Sequence, residues 1–199
     1  MKVRGSVMPP EWDITSSKVA AYHRANIVQI TDGDGRIEYE YDEEQMSFSD
    51  FENTLYCKQL TKLNNLNGAC SGAIYQGIDI GTYHYNFSAT TQTNLETIAR
   101  RIDDGTTSIL YRADNETEQR VYTASEMSII INTKDEWIAV NTNYYEKLKV
   151  WVNRETDEAI LNGVHYGSML PTDLMSELVA TLASVGIDAM KYANMFTGG

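Results

Sequence analysis

Three histidines, two cysteines and 28 acidic residues are the side chains of this 199-residue chain best suited to acid–base, thiol or metal chemistry. Their spacing argues against each use. His23, His84 and His165 stand singly, without the i, i+4 or other short spacings that metal binding or general-base work favours. His84 lies between Tyr83 and Tyr85 in a predicted strand, where a hydrogen-bonded structural histidine is the ordinary outcome. Cys57 and Cys70 lack metal-ligand spacing and are too few for a disulfide framework. Both are read as reduced thiols, Cys57 on a helix and Cys70 in a loop. The carboxylates are plentiful, but abundance gives no pairing geometry from which a glycosidase pair could be named. Nucleophile elbow, phosphate loop and zinc motif are absent from the sequence. The chain is therefore expected to be a non-enzyme, with no cofactor and no metal site.

One stretch imitates a calcium loop. Asp32, Asp34, Gly35 and Ile37 fall at spacings used in an EF-hand, but aligning Gly35 to the obligatory glycine puts Ile30 at the first ligand position and Tyr41 where a bidentate glutamate is required. A hard cation needs oxygen at both. The stretch is read instead as a β-turn, and Asp42-Glu43-Glu44 as a solvated surface run before a helix.

The formal charge of −12, with 16 scattered basic residues, excludes nucleic acid as a partner, because phosphate binding needs clustered Lys and Arg. Residues 1–10 lack an apolar core of signal-peptide length, and no run approaches the ~20 apolar residues of a membrane span. A soluble, non-secreted product without membrane insertion is expected. Thirteen tyrosines and three tryptophans supply large contact area with a polar tip, a bias that suits assembly or ligand contact.

The elements that must position these side chains read as α+β. Residues 1–20, with Gly5 and Pro9-Pro10, read as an extended arm with Trp12 docked. Residues 25–30 and 37–41 alternate as a hairpin around Asp32-Gly33-Asp34-Gly35, and Ser47-x-x-Asp50 opens a helix that should end near Asn67-Gly68. Residues 68–76 are small and glycine-rich, and are expected to be a linker between domains. Two strands, 77–80 and 83–87, a helix ended by Asp103-Asp104-Gly105, a second hairpin around residues 114–118 and a long helix then give the order ββαββα over 77–154. Beyond it lies a helical extension, 155–199, in which Asn162-Gly163 marks a turn and Pro171-Thr172-Asp173 a helix start. A second short helix there would carry Met190 and Met195. The expected division is thus 1–67, 68–76, 77–154 and 155–199.

The long helix carries the most regular pattern. Positions 127, 130, 134, 137, 141, 144, 148 and 151 follow the alternating 3-4 spacing of a coiled-coil stripe, interrupted by Lys134 and Asn141. Capping-box patterns at Thr123-x-x-Glu126 and Thr133-x-x-Glu136 leave open one helix or a break near Asn132. The first half of the stripe is read as packing on its own domain's sheet, the second half as facing a partner. Lys134, Trp137, Asn141, Tyr144 and Trp151 are the candidate interface residues, with the three rings as anchors and the two polar side chains restricting register.

Residues 77–154, with Ile78-Asp79-Ile80, Tyr83-His84-Tyr85-Asn86-Phe87 and the hairpin ending Val121-Tyr122-Thr123, resemble a domain of unknown function found in bacteriophage tail, tail-fibre and tail-fibre-assembly proteins. Residues 22–27 and 37–45 are similar to the openings of small proteins of phage tail gene clusters. The resemblance rests on core residues and turns, and carries no catalytic position. It implies a structural protein of the tail, at the baseplate or at tail-fibre attachment, located in the virion after assembly in the host cytoplasm. Other tail or baseplate proteins would be its partners, with a homo-oligomer, a trimer by analogy. A tail-fibre assembly chaperone and a surface-glycan or receptor-binding module are the alternatives.

Overall fold

A computed structural model describes residues 1–16 and 18–196 of the chain. Ser17 of the expected arm and residues 197–199 of the expected extension lie outside the described residues. The architecture is α+β, and it divides into two compact units, Met1–Leu60 and Thr61–Gly199.

The first unit is built on a four-stranded antiparallel sheet of order β1-β4-β3-β2. Its strands are β1 (Lys2–Gly5), β2 (Trp12–Ile14), β3 (Ala20–Thr31) and β4 (Ile37–Ser47). The expected hairpin is present as β3–β4, and its turn closes on one carboxylate. Asp32 Oδ1 accepts from the backbone N–H of Asp34 at 2.9 Å and of Arg36 at 2.8 Å, so the aspartate serves the turn itself. A bulge interrupts the ladder between Ala25 and Val28. Asn26 adopts φ +53° there and donates its amide to Asp42 Oδ2 at 2.9 Å, a left-handed conformation asparagine tolerates.

The arm expected at residues 1–20 is corrected. Its backbone groups find partners in the sheet, β1 along β4 and β2 along β3, with Lys2 and Arg4 paired to Glu40 at 3.1 and 3.0 Å. Trp12 is docked, as expected: its ring stacks on His23 at 4.5 Å and on Tyr56 at 5.3 Å and tilts against the buried Phe51. The run Asp42-Glu43-Glu44 does precede a helix, but it lies within β4, with Glu44 exposed and Asp42 and Glu43 half-buried. Glu43 pairs across the strand with Arg24 at 2.8 Å.

Ser47 caps α1 (Phe48–Glu52), accepting from Asp50 N at 3.1 Å. After a break at Asn53 and Thr54 the chain re-enters helix as α2 (Leu55–Gln76). This corrects both the helix end expected at Gly68 and the linker expected over 68–76, which is helical, and it places Cys70 on a helix. The two units divide inside α2, between Leu60 and Thr61. Gly68 and Gly72 meet open space, while Leu66 and Cys70 are buried. Packing on that one side outweighs the glycine cost of about 1 kcal/mol each.

In the second unit the ββαββα order is as expected: β5 (Ile78–Ile80), β6 (Tyr83–Tyr85), α3 (Ala89–Asp103), β7 (Ser108–Tyr111), β8 (Arg120–Thr123) and α4 (Ala124–Arg154). α4 is one unbroken helix of 31 residues, opened by a full capping box at Thr123 and Glu126. Thr133 and Glu136, the second capping pattern, lie within it. α3 and both hairpins close a core of Tyr85, Phe87, Leu95, Ile98, Ile109, Tyr122, Met127 and Ile130 against its first half. Gly77 joins α2 to β5 at φ +78°, and a Cβ there would fall inside the Tyr85 carbonyl. Only glycine fits.

The second half of α4 is covered by α6 (Thr172–Ser184), which inserts Leu174, Leu178 and Leu182. Between them lies α5 (Glu158–Gly163), capped by Asp157, which accepts from Ala159 N at 2.7 Å. The turn expected at Asn162-Gly163 is the end of that helix. The last expected helix is a 3₁₀ helix, Ala189–Phe196. It is tethered to α4 through Lys191 and Tyr192, which both donate to Glu136, at 2.6 and 2.7 Å.

Candidate functional site

The five candidate interface residues share one stripe of α4, and three of them face the chain's own interior. Lys134, Asn141 and Tyr144 are buried at 5%, 0% and 0% exposure. Asn141 donates to the Trp137 carbonyl at 2.8 Å and accepts from the Tyr166 hydroxyl at 2.6 Å. The Cys70 thiol points at the Asn141 carbonyl at 3.5 Å, and burial pushes its pKa up. It is a structural thiol, with no thiolate character. Lys134 reaches its neighbour Asp135 at 2.9 Å. Trp137 and Trp151 are half-buried, and their indoles donate within the chain, to the Ala73 carbonyl at 3.1 Å and Glu155 Oε2 at 3.3 Å. For Lys134, Asn141 and Tyr144 the expectation of contact with another chain is corrected. Lys134 is paired within α4, and Asn141 is satisfied by α4 itself and by Tyr166 of the segment that joins α5 to α6, while α2 receives the Trp137 indole; the spacing could reveal neither neighbouring segment.

The histidines are tied to structure as well. His84 Nδ1 lies 2.7 Å from Asp79 Oδ1, and its Nε2 lies 2.9 Å from the Gln76 carbonyl. The hydrogen bond with Asp79 raises the His84 pKa against the smaller effect of burial. With acceptors on both ring nitrogens, the charged imidazolium is the satisfied form, and no nitrogen remains to act as a base. His23 stacks on Trp12. His165 Nδ1 lies 2.9 Å from the Gly163 carbonyl and 3.0 Å from Ser168 Oγ. A carbonyl against Nδ1 holds the proton there, so the Ser168–His165 approach is a turn clasp and not a nucleophile with its base.

A third cluster knits the two hairpins. The Arg120 guanidinium lies over the rings of Tyr122 at 3.8 Å and Tyr83 at 4.6 Å, and its Nε donates to Glu116 Oε1 at 2.9 Å. Glu116 Oε2 accepts from Ala113 N and the Tyr122 hydroxyl at 2.7 and 2.9 Å. Each charge there is spent on a neighbour.

One concavity of the second unit has side chains to spare. It is a cleft of about 460 Å³ between α3, the β6–α3 connection and the β7–β8 turn. Tyr85, Ile98 and Tyr111 contribute its apolar lining, and burial, then Asp114, push the Tyr111 hydroxyl up to about 12. Asp114 braces the mouth, accepting from Asn86 N at 2.5 Å and Asn86 Nδ2 at 2.6 Å. Asn94 and Arg101, seven residues apart on α3, line one side, and Arg112 and Gln119 come from the β7–β8 connection. Sequence reasoning passed over these four, because the arginines stand on separate elements and only the tertiary approach of α3 to the hairpin joins them. Among the described residues, no three His, Cys, Asp or Glu side chains are grouped to hold a metal, and no helix is long and apolar enough to cross a membrane.

Comparison with known proteins finds no matching family model, no matching curated protein and no matching solved structure.

Proposed function

We propose that this chain is a structural component of a bacteriophage or phage-derived tail, at the baseplate or the point of tail-fibre attachment, acting through protein–protein contacts. The observation that carries the reading is the sheet of the first unit. Its outer strands β1 and β2 each pair on one side only, and Val7, Met8, Val19, Val28 and Ile37 of the same unit stand 52–75% exposed. Unpaired strand edges beside exposed apolar side chains invite strand addition or docking, and left uncovered they favour aggregation. A permanent assembly would cover them.

The resemblance of residues 77–154 to the phage tail domain supports the tail as that assembly, with other tail or baseplate proteins as partners and the virion as the location. Self-association, whether as the trimer favoured by analogy or otherwise, would run through this sheet, since most of the α4 seam is buried within its own chain. Quantitative mass spectrometry of purified particles tests the reading. The expected result is this chain at a fixed copy number relative to the other tail proteins. Its absence from mature particles, with presence in the assembling lysate, would overturn the structural role in favour of an assembly chaperone.

A further inference from the structure

We infer that the cleft beside α3 binds a carboxylated sugar, a monoanionic saccharide held by Arg101 and Arg112 with Asn94 and Gln119 on its hydroxyls. The inference stands apart from the tail reading, since it concerns another unit and other residues.

Four observations lead to it. The cleft's volume of about 460 Å³ falls within the span of small-molecule sites. Among the described residues, Asn94, Arg101, Arg112 and Gln119 make no side-chain hydrogen bond or ion pair, whereas Arg4, Arg24, Arg120 and Arg154 each have a carboxylate partner; Arg36 and Arg100 are uncommitted too, but neither lines the cleft. In a chain of net charge −12, two uncommitted guanidiniums lining one cleft form a local anion site, because a guanidinium matches a carboxylate through two parallel N–H donors. Third, the frame is held before any ligand arrives. Asp114 binds both Asn86 donors, Asn86 Oδ1 accepts from Ser88 N and Thr91 Oγ1 at 3.1 and 2.9 Å, and Asp114 N donates to the His84 carbonyl at 2.8 Å. A fixed frame lowers the ordering cost of binding.

The fourth observation selects the ligand class. Asp114 sits at the cleft with its own negative charge, and the chain as a whole is acidic, so a dianionic phosphate or a polyanion is repelled more than a single carboxylate is. The free carboxamides of Asn94 and Gln119 both donate and accept, as hydroxyl groups do, and Tyr111 offers a half-buried ring beside them. A single negative charge on a body covered with hydroxyls meets all of these.

The test is an NMR titration of the full chain with N-acetylneuraminic acid and with glucuronic acid, at millimolar concentration. Neutral glucose, inorganic phosphate and a short acidic peptide serve as comparisons. Amide shifts should be confined to residues around Arg101 and Arg112, with glucose weaker by roughly tenfold, the size expected for loss of a charge-assisted hydrogen bond. Arg101→Gln and Arg112→Gln should each weaken the sugar acids by a similar factor, and Arg36→Gln, an exposed arginine of the first unit, should not. All three positions are exposed, so the variants keep the fold, which the dispersion of their spectra checks. The inference is overturned if neither sugar acid shifts these amides, if glucose or phosphate binds as well, if the peptide binds more tightly, or if both arginine variants bind like the wild type.

Discussion

The Tyr144 hydroxyl donates to the Ser168 carbonyl at 2.6 Å, while accepting from the N–H of the intervening Gly167 at 3.0 Å. A side chain in the middle of the longest helix thus fixes the loop that turns the chain back toward α6. Burial raises the Tyr144 pKa, so the group stays a neutral donor. Tyr144→Phe removes the hydroxyl from a position with no exposed surface and leaves the buried Ser168 carbonyl and the partly buried Gly167 amide without this partner. The expected loss is about 1–3 kcal/mol in urea unfolding, with light scattering unchanged from the wild type. A loss below a few tenths would show that water replaces the hydroxyl.

Much of the second unit is legible in the sequence. The capping residues Thr123 and Glu126, the glycine-first turn at Gly81 and the i, i+3, i+4, i+7 stripe from Leu95 to Ile102 are local signals, and local signals predict elements well. The failures are of another kind. Gly68 and Gly72 look like a linker because propensity is read residue by residue, and the burial of Leu66 and Cys70 that holds them helical is a tertiary fact. The α4 stripe looks the same whether α6 or another chain covers it. Arg101 and Arg112 carry no shared spacing, so the cleft they line has no signature in the chain.

Gly77 is a point where the fold admits one residue type. Gly77→Ala should destabilise the chain by at least about 2 kcal/mol, combining the left-handed backbone penalty with a clash against backbone. Thermal unfolding compared with Gly68→Ala checks this, since Gly68 is helical and meets open space. The second change should be neutral or stabilising.

The His84–Asp79 pair should be visible in its titration. An NMR titration of the imidazole is expected to give a midpoint above the usual 6.5, and Asp79→Asn should bring it down. Because the folded value is the raised one, the pair's contribution to the β5–β6 hairpin is complete below the unfolded pKa of ~6.5 and is lost as pH rises through the folded value. An Asp79→Asn midpoint equal to the wild type's would contradict the assignment.

At the other end of the scale, the Arg154 guanidinium, which pairs α4 to the start of α6 with a 3.0 Å bond from Nη2, holds the Asp173 carboxyl down to about 2. The folded value is depressed, so this contribution is present above the unfolded pKa of ~3.9 and fades as pH falls toward the folded one. In a pH–stability curve, Asp173→Asn should lower the neutral region slightly, the loss being small because both side chains are about half exposed, leave the acid end unchanged, and so flatten the limb between those values. A steep acid limb retained in the variant would assign that limb to other carboxylates.

If the first unit's sheet joins this chain to a larger assembly, a double variant, Val28→Asp with Ile37→Asp, should fail to join it. Both side chains are more than half exposed, at 55% and 52%, so the fold should survive, as circular dichroism and unfolding midpoint would register. The measurement is the copy number of the variant in particles assembled with it in place of the wild type. The expected result is a folded chain that is depleted from the particles by tenfold or more, corresponding to about 1.4 kcal/mol or more of lost contact. Incorporation at the wild-type copy number would contradict it.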